Sequence, residues 1–374
     1  VATFPYYDAG ALQALGAQAD AILGLFAGRG YVHEEPSVLQ PAEIFLDRSG
    51  EEIRRRTFTL TDPSGRDLAL RPDLTIPICR DAILANRKWP ARICYNGLAF
   101  RHQPGEPHRP TQFFQAGAEL LGLEDRTAGE TEILSLAIEA LRVAGLKDFS
   151  LRIGDLALFN ALVDALALPK QWRARLKRHF WRAGYVESLL YWLGHGDGTA
   201  KLPGTKAEIE ALLDKQGDAP AAGRTRAEII ARALDRAAEA AALRLDPAMA
   251  DAIAKLLDIS GPAEQALAEV RALLKTTNIN LDVQLAAMDA RLATLKSLGV
   301  AADRVRFTAH FGRNMEYYTG FVFELWARDK EGPVQVAGGG RYDTLLESLG
   351  AKQPVSAIGC AIRTERLMAA KAVA

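Results

Sequence analysis

The sequence predicts an α+β fold in which one sheet is completed by both ends of the chain and a mostly helical stretch lies between them. Strand-like segments with turn signals lie between Arg56 and Leu121 and return only between Arg304 and Ile362. The stretch from Pro169 to Gly299 is rich in Ala, Leu, Arg and Glu, with long patterns of period 3.6 such as Ala207–Lys215 and Arg224–Leu243. An alternating parallel sheet does not produce that order.

The first element is an amphipathic helix from about Ala9 to Gly30. Leu12, Leu15, Ile22, Leu23, Leu25 and Phe26 recur at helical spacing, and Gly28 and Gly30 supply the stop. Two strands, Arg56–Thr61 and Asp67–Pro72, flank the turn Asp62-Pro63-Ser64-Gly65-Arg66, a hairpin signature. Asp73 or Thr75 then caps a helix running to about Asn86. A second pair of strands follows, Ala91–His102 and Gln112–Leu121, joined by a polar, proline-containing loop. Thr127 with Glu130 reads as a capping box opening a helix from Ala128 to Ala144, which Gly145 ends. Breaks at Gly-Asp, Asp-Pro and Gly-Pro punctuate the helical stretch. Strands are then expected at Arg304–Phe311, Gly320–Ala327, Pro333–Ala337 and Ser356–Ile362, with a final helix from Thr364. The resulting division is a core in two parts, 1–168 and 300–374, around an insertion at 169–299.

Composition narrows the function. In 374 residues, 46 Lys and Arg balance 46 Asp and Glu, and 49% of residues are hydrophobic, so disordered and collagen-like chains are excluded. Charge neutrality is a weak argument against a dedicated nucleic-acid binder. Cys79, Cys94 and Cys360 are too few and too far apart for a disulfide scaffold or a zinc motif, and fit buried thiols in a reducing cytoplasm. The six histidines show no metal-ligand pairing, so no metal is expected. Val1–Ala11 lacks the pattern of a signal peptide, and no uncharged apolar run of membrane-spanning length is visible.

Four segments hold more unusual side chains than packing requires. In Leu70-Arg71-Pro72-Asp73-Leu74-Thr75, a carboxylate and a hydroxyl at a strand-to-helix junction suit an ammonium group, or simply cap the helix. In the second, Phe100-Arg101 precedes a strand on which Gln115, Gly117 and Glu119 share a face. Buried Gln and Glu there need partners, which Arg101 could supply as a structural bridge, unless it binds a ligand carboxylate instead. The third and fourth are Arg313-Asn314-Met315-Glu316-Tyr317-Tyr318-Thr319-Gly320 and the glycine-rich loop Gly338-Gly339-Gly340-Arg341-Tyr342-Asp343. Its glycines allow close backbone approach or positive φ. The tyrosines fit a small polar pocket or an aromatic core equally well.

Taken in order, these segments together with Ala357-Ile358-Gly359 and Glu365-Arg366-Leu367 resemble the catalytic core of the histidyl-tRNA synthetase family, over about Pro5 to Ala369 apart from the helical middle. The resemblance implies the class II aminoacyl-tRNA synthetase fold, an antiparallel sheet flanked by helices that dimerises through the region around Pro36. It also implies a histidine pocket. Asp73, Thr75 and Gln115 would hold the α-ammonium, Arg313 would face the carboxylate, Glu119 and Tyr318 would read the imidazole, and Tyr342 would close the site, with Arg101 and Tyr317 alongside. Asp73 is one methylene shorter than the family's usual Glu.

Three departures fall on the nucleotide side of the family's site. Gln103 replaces a Glu, Pro104 and Thr111 replace arginines of a basic loop that keeps Arg109, and Arg363 stands where a glycine adjoins the adenine. A fourth is the expected absence of an anticodon-binding domain after Leu367, since roughly 100 residues do not fit in the remainder. The combination is similar to a non-catalytic branch of the family, which activates the short-form catalytic ATP phosphoribosyltransferase and confers feedback inhibition by L-histidine. That resemblance implies no catalytic residues, no cofactor, no tRNA and no membrane. It implies a homodimer within a hetero-oligomer, a hetero-octamer with four chains of each kind. The alternatives are a truncated histidine-activating enzyme that adenylates its substrate, for which Arg101, Arg313 and Arg366 speak, and a general adaptor using the helical stretch.

Overall fold

The computed structural model describes residues 6–46, 51–103, 109–180, 183–195, 205–216, 226–242, 245–277, 279–311 and 317–373. Its strands are β1 (Val32–His33), β2 (Leu39–Pro41), β3 (Phe58–Thr61), β4 (Asp67–Leu70), β5 (Ala91–Phe100), β6 (Gln112–Leu121), β7 (Ser150–Asp155), β8 (Ser260–Pro262), β9 (Val305–Thr308), β10 (Phe321–Asp329), β11 (Gly332–Arg341) and β12 (Ala357–Arg363). Among the described residues nine of them form one sheet in the order β1-β5-β6-β12-β11-β10-β7-β9-β8, and β2-β4-β3 form a second, small one. In the large sheet only β1 with β5 and β7 with β9 run parallel. The last strand, β12, lies between β6 and β11, so the two ends of the chain interleave at its centre, as the order of the elements led one to expect.

The alternation of side chains across the pleat decides which residues reach the site. On β6, Ala116, Ala118 and Leu120 join one hydrophobic core, and on β12 so do Ile358, Cys360 and Ile362. That core is covered by the helices Ala9–Gly28, Arg126–Val143, Leu156–Ala165, Ala263–Thr277 and Asp282–Ser297. The intervening residues face a second core, made with Ile76, Ile78, Tyr317, Tyr318 and Tyr342.

Local chemistry explains the elements. Asp8 caps the first helix by accepting from the Ala11 N–H at 2.8 Å, and the chain leaves it through Gly30 at φ 83°. The helix Ala9–Gly28 is long and apolar enough by length and composition to cross a membrane. Its Leu15, Ile22 and Phe26 are nevertheless buried, and Phe26 and Ile22 belong to the main core. The β3–β4 turn is tied by Asp62, whose Oδ1 accepts from the N–H groups of Ser64 and Arg66, with Gly65 at φ 82°.

Two expectations need correction. The helix Arg126–Val143 is capped by Asp125, which accepts from the Ala128 N–H at 3.0 Å, and not by Thr127 with Glu130. Glu130 is buried and taken by two guanidinium groups, Arg291 at 2.7 Å and Arg341 at 2.8 Å, which bind a carboxylate more strongly than a backbone N–H does. Gly338, Gly339 and Gly340 form no loop but lie within β11, none of them at positive φ. A Cβ on Gly339 would stand 2.2 Å from the Gly359 carbonyl oxygen, so close approach of neighbouring strands is their role. The stretch 169–299 is mostly helical where described, in keeping with its composition, and its strand β8 extends the edge of the main sheet.

Candidate functional site

One cavity gathers every sequence-selected site residue that falls among the described ones: Asp73, Thr75, Arg101, Gln115, Glu119, Tyr317, Tyr318 and Tyr342. Arg313 lies outside the described residues. The floor is the sheet. Gln115, Gly117 and Glu119 project from β6, and register sets Glu119 opposite Gly359 and Gln115 opposite Arg363 on β12. Gly338 and Gly340 of β11 pair with Ala361 and Gly359. A floor of glycine and alanine between polar ends leaves a trough that larger side chains would fill. Its free volume is only about 20 Å³, little more than one water needs, so anything the size of an amino acid would have to move the side chains that line it.

Glu119 closes one end. Its Oε1 accepts from the Thr75 hydroxyl at 2.7 Å and the Tyr95 hydroxyl at 3.0 Å, and its Oε2 accepts from the Tyr342 hydroxyl. Tyr95 reaches it by lying across Gly117, where a Cβ would sit 2.4 Å from the phenol oxygen. Burial pushes the Glu119 carboxyl up to about 7; the three hydroxyls oppose that shift and the Asp73 charge adds to it. A carboxylate has about four lone-pair positions, so one further N–H donor can be accepted at Oε2. Tyr317, Tyr318 and Tyr342 wall this end, with ring centroids 5.0 Å apart for Tyr317–Tyr318 and 5.6 Å for Tyr317–Tyr342.

The other end is charged. Asp73, 1% exposed, accepts from the Ile76 N–H at 3.2 Å through Oδ1, while its Oδ2 is buried with no hydrogen-bond partner among the described residues. Burial raises the Asp73 carboxyl, and the nearby charge of Arg101 opposes the shift. A buried carboxylate oxygen left unmatched is costly. A cation placed beside it would satisfy that oxygen. Arg101 donates from Nε to the Pro72 carbonyl at 2.6 Å and lies 5.6 Å from the Phe113 ring centroid. The bridge from Arg101 to Glu119 that the sequence left open is replaced by the three hydroxyls. Thr75, expected at the ammonium, lines the cavity and donates its hydroxyl to Glu119.

Sequence reasoning did not place Gln335, Gly359 or Arg363 in this pocket, nor Tyr95 against Glu119. Tyr95 was within reach of it, since the pairing of β5 with β6 puts it opposite Gly117. The three cysteines are buried, as expected, and burial raises their thiols, Cys94 to about 11 and Cys360 to about 12. They stay protonated and inert.

Gly359 offers a direct test of the floor. A Cβ there would fall 1.6 Å from Glu119 Oε2. Gly359→Ala is therefore expected to displace the carboxylate, cost about 1–3 kcal/mol in a urea titration, and abolish ligand binding measured by calorimetry. Unchanged binding would show that Glu119 does not need this geometry.

The comparisons with known proteins give the family and the fold. The histidyl-tRNA synthetase family profile matches residues 11–194 and 204–367. The chain is 37% identical over 361 residues to the ATP phosphoribosyltransferase regulatory subunit of Chelativorans sp., covering 92% of this chain and 95% of the relative. It is 34% identical over 370 residues to that of Mesorhizobium japonicum, covering 94% and 97%. Among solved structures, an ATP phosphoribosyltransferase regulatory subunit/histidyl-tRNA synthetase from Bacillus halodurans aligns with TM-score 0.69 at 25% identity, over 98% of this chain and 81% of that one. The histidyl-tRNA synthetase of Nostoc sp. shares the fold at TM-score 0.63 and 15% identity, over 98% and 73%. With a pocket of this composition at the centre of a class II sheet, the chain belongs to the histidyl-tRNA synthetase-like family of ATP phosphoribosyltransferase regulatory subunits.

Proposed function

We propose that the chain activates a short-form catalytic ATP phosphoribosyltransferase subunit in the cytoplasm and conveys feedback inhibition by L-histidine bound in the pocket described above, without catalysis of its own. The observation that carries this reading is the pair of unlike ends in one trough. Asp73 Oδ2 awaits a cation, and Glu119 has room for one N–H donor. An α-amino acid with an imidazole presents an ammonium and a ring N–H at separate points. Feedback then requires that histidine bind one state of the assembly more tightly than another, typically by about 1–3 kcal/mol. The dimer through the Pro36 region and the hetero-octamer belong to the same proposal, and light scattering of the complex sizes them.

The test is co-purification with the short-form catalytic chain, followed by its assay with and without histidine. Stimulation by this chain and its reversal by histidine are expected. Calorimetry that finds no histidine binding, to the chain or to the complex, overturns the mechanism. Pyrophosphate exchange with histidine and ATP is expected to be silent; robust turnover would instead favour the adenylating enzyme.

A further inference from the structure

Resting on the reading of the chain as a regulatory subunit, we propose that the sheet face beyond the pocket, centred on Arg152 and Arg306, docks an acidic surface of the short-form catalytic chain. The register of five strands carries the inference. Ala361 of β12 pairs with Gly338 of β11, Gly338 with Glu324 of β10, Glu324 with Arg152 of β7, and Arg152 with Arg306 of β9. Paired residues project from the same face of a sheet, so this row belongs to the face that bears the pocket. Ala361 and Gly338 line the cavity, and Arg152 stands two strands beyond Gly338, about 10 Å away.

Two guanidinium side chains in register on neighbouring strands, about 4.8 Å apart at the backbone, repel one another. Arg152 and Arg306 are both exposed, and among the described residues neither makes an ion pair. Arg152 lies 5.3 Å from the Trp326 ring centroid, and the indole is held in turn by donating from Nε1 to Glu324 Oε2 at 3.0 Å. Arg328, two residues past Trp326 on the same face, is a third exposed arginine without an ion pair among the described residues. Carboxylates of a partner would neutralise this row, and a guanidinium matches a carboxylate with two parallel hydrogen bonds. Trp and Arg are also the side chains in which binding energy concentrates at protein interfaces. The surroundings favour a protein over a nucleic acid. A phosphate backbone calls for a continuous basic track, whereas exposed acidic residues break this one: Asp148 before β7, Asp258 before β8 and Glu331 in the turn from β10 to β11.

Calorimetric titration of the full chain with the short-form catalytic chain, at low and at physiological salt, tests this. Arg152→Glu with Arg306→Glu is expected to weaken association at least about 30-fold, the loss that marks a hot spot, and to remove most of its salt dependence. The isolated variant is expected to keep the wild-type urea midpoint, since both side chains are exposed. Its histidine affinity should stay within about twofold of wild type, because neither side chain lines the cavity. Lys170→Glu with Arg178→Glu reverses the same charge on the helix Lys170–Arg178, at two exposed positions, and should cost less than about fivefold. Unchanged association of the Arg152→Glu, Arg306→Glu variant, or an equal loss in the helix variant, overturns the surface and leaves the proposed function standing. An oligonucleotide that binds the wild type and not the sheet variant, with transferase binding intact, overturns it in favour of a nucleic-acid surface. A wild-type chain that does not bind the transferase removes the proposed function and this surface together.

Discussion

Arg291→Ala is expected to destabilise the protein by about 3–5 kcal/mol, the cost of stripping one partner from a buried ion pair. Arg291 projects from the helix Asp282–Ser297 into the core, where it is 7% exposed. Its Nε donates to Glu130 Oε2 at 2.7 Å, its Nη1 to Asp155 Oδ2 at 2.6 Å, and its guanidinium lies 4.5 Å from the Phe321 ring centroid. Burial works against its charge, but Asp155 and Glu130 outweigh that, and its pKa is raised. Glu130 also accepts from Arg341 Nε at 2.8 Å, and Arg341 Nη1 donates to Asp343 at 3.0 Å. The buried groups alternate in sign, so removing Arg291 leaves Asp155 in a low-dielectric interior with no cation beside it and only the Ala157 N–H, at 2.8 Å, to bond. Urea unfolding measures the cost; a loss below about 1 kcal/mol would show that water or relaxation compensates the carboxylates. The double variant Arg291→Met with Asp155→Asn should recover part of the loss, because it removes the stranded charge as well.

This network also shows where the sequence was legible and where it was not. Elements with a local signature could be read directly: the turn Asp62–Arg66, the strands β5 and β6, and the glycine stops at Gly30 and Gly145. So could the period-2 grouping of Gln115 and Glu119, because a strand's faces follow from counting. Glu130 could not, since a carboxylate three residues after a threonine looks like a cap, and its true partners lie 161 and 211 residues away. The same holds for the glycines of β11. Three in succession suggest a loop when the strand passing beside them, β12, is unknown. The division at 169–299 follows composition, yet Arg291 within that stretch is bonded to the first part of the chain and, through Glu130, to Arg341 in the last. Composition sees the helices and not the side chains that lock them to the sheet. The candidate site residues came from ordered motifs, and those among the described residues line one cavity. Arg363 was noted only as an obstruction, because its neighbour Gln115 is assigned by register and not by sequence spacing.

Glu119→Gln should change both the pH dependence of stability and ligand affinity, in opposite directions. Burial raises the folded carboxyl from 4.5 to about 7. Between those values the native state holds a proton that the unfolded chain has released, so stability falls as pH rises through the window and levels off above about 7. That loss amounts to about 3 kcal/mol, since a gap of one pH unit between folded and unfolded carboxyls is worth roughly 1.4 kcal/mol. Around Glu119, burial holds the Tyr95 and Tyr342 hydroxyls and the Cys79 and Cys360 thiols protonated, so they add no slope there. Asp73, also raised, adds one of the same sign. The difference between wild type and variant isolates Glu119. Urea titrations from pH 4.5 to 8 should show the variant flatter and, above pH 7, more stable when unliganded. Ligand binding reverses the ranking. A ring N–H donated to Oε2 needs the carboxylate form, so histidine affinity in the wild type should rise as pH increases from 6 to 8, with proton release detectable by calorimetry in two buffers. The variant should lose that rise and bind roughly 10- to 100-fold more weakly at pH 8, the worth of a hydrogen bond to a charged group. Equal affinities at pH 8 would place the ring elsewhere in the trough. A variant that keeps the full stability slope would mean that Glu119 is ionised throughout the window, despite its burial.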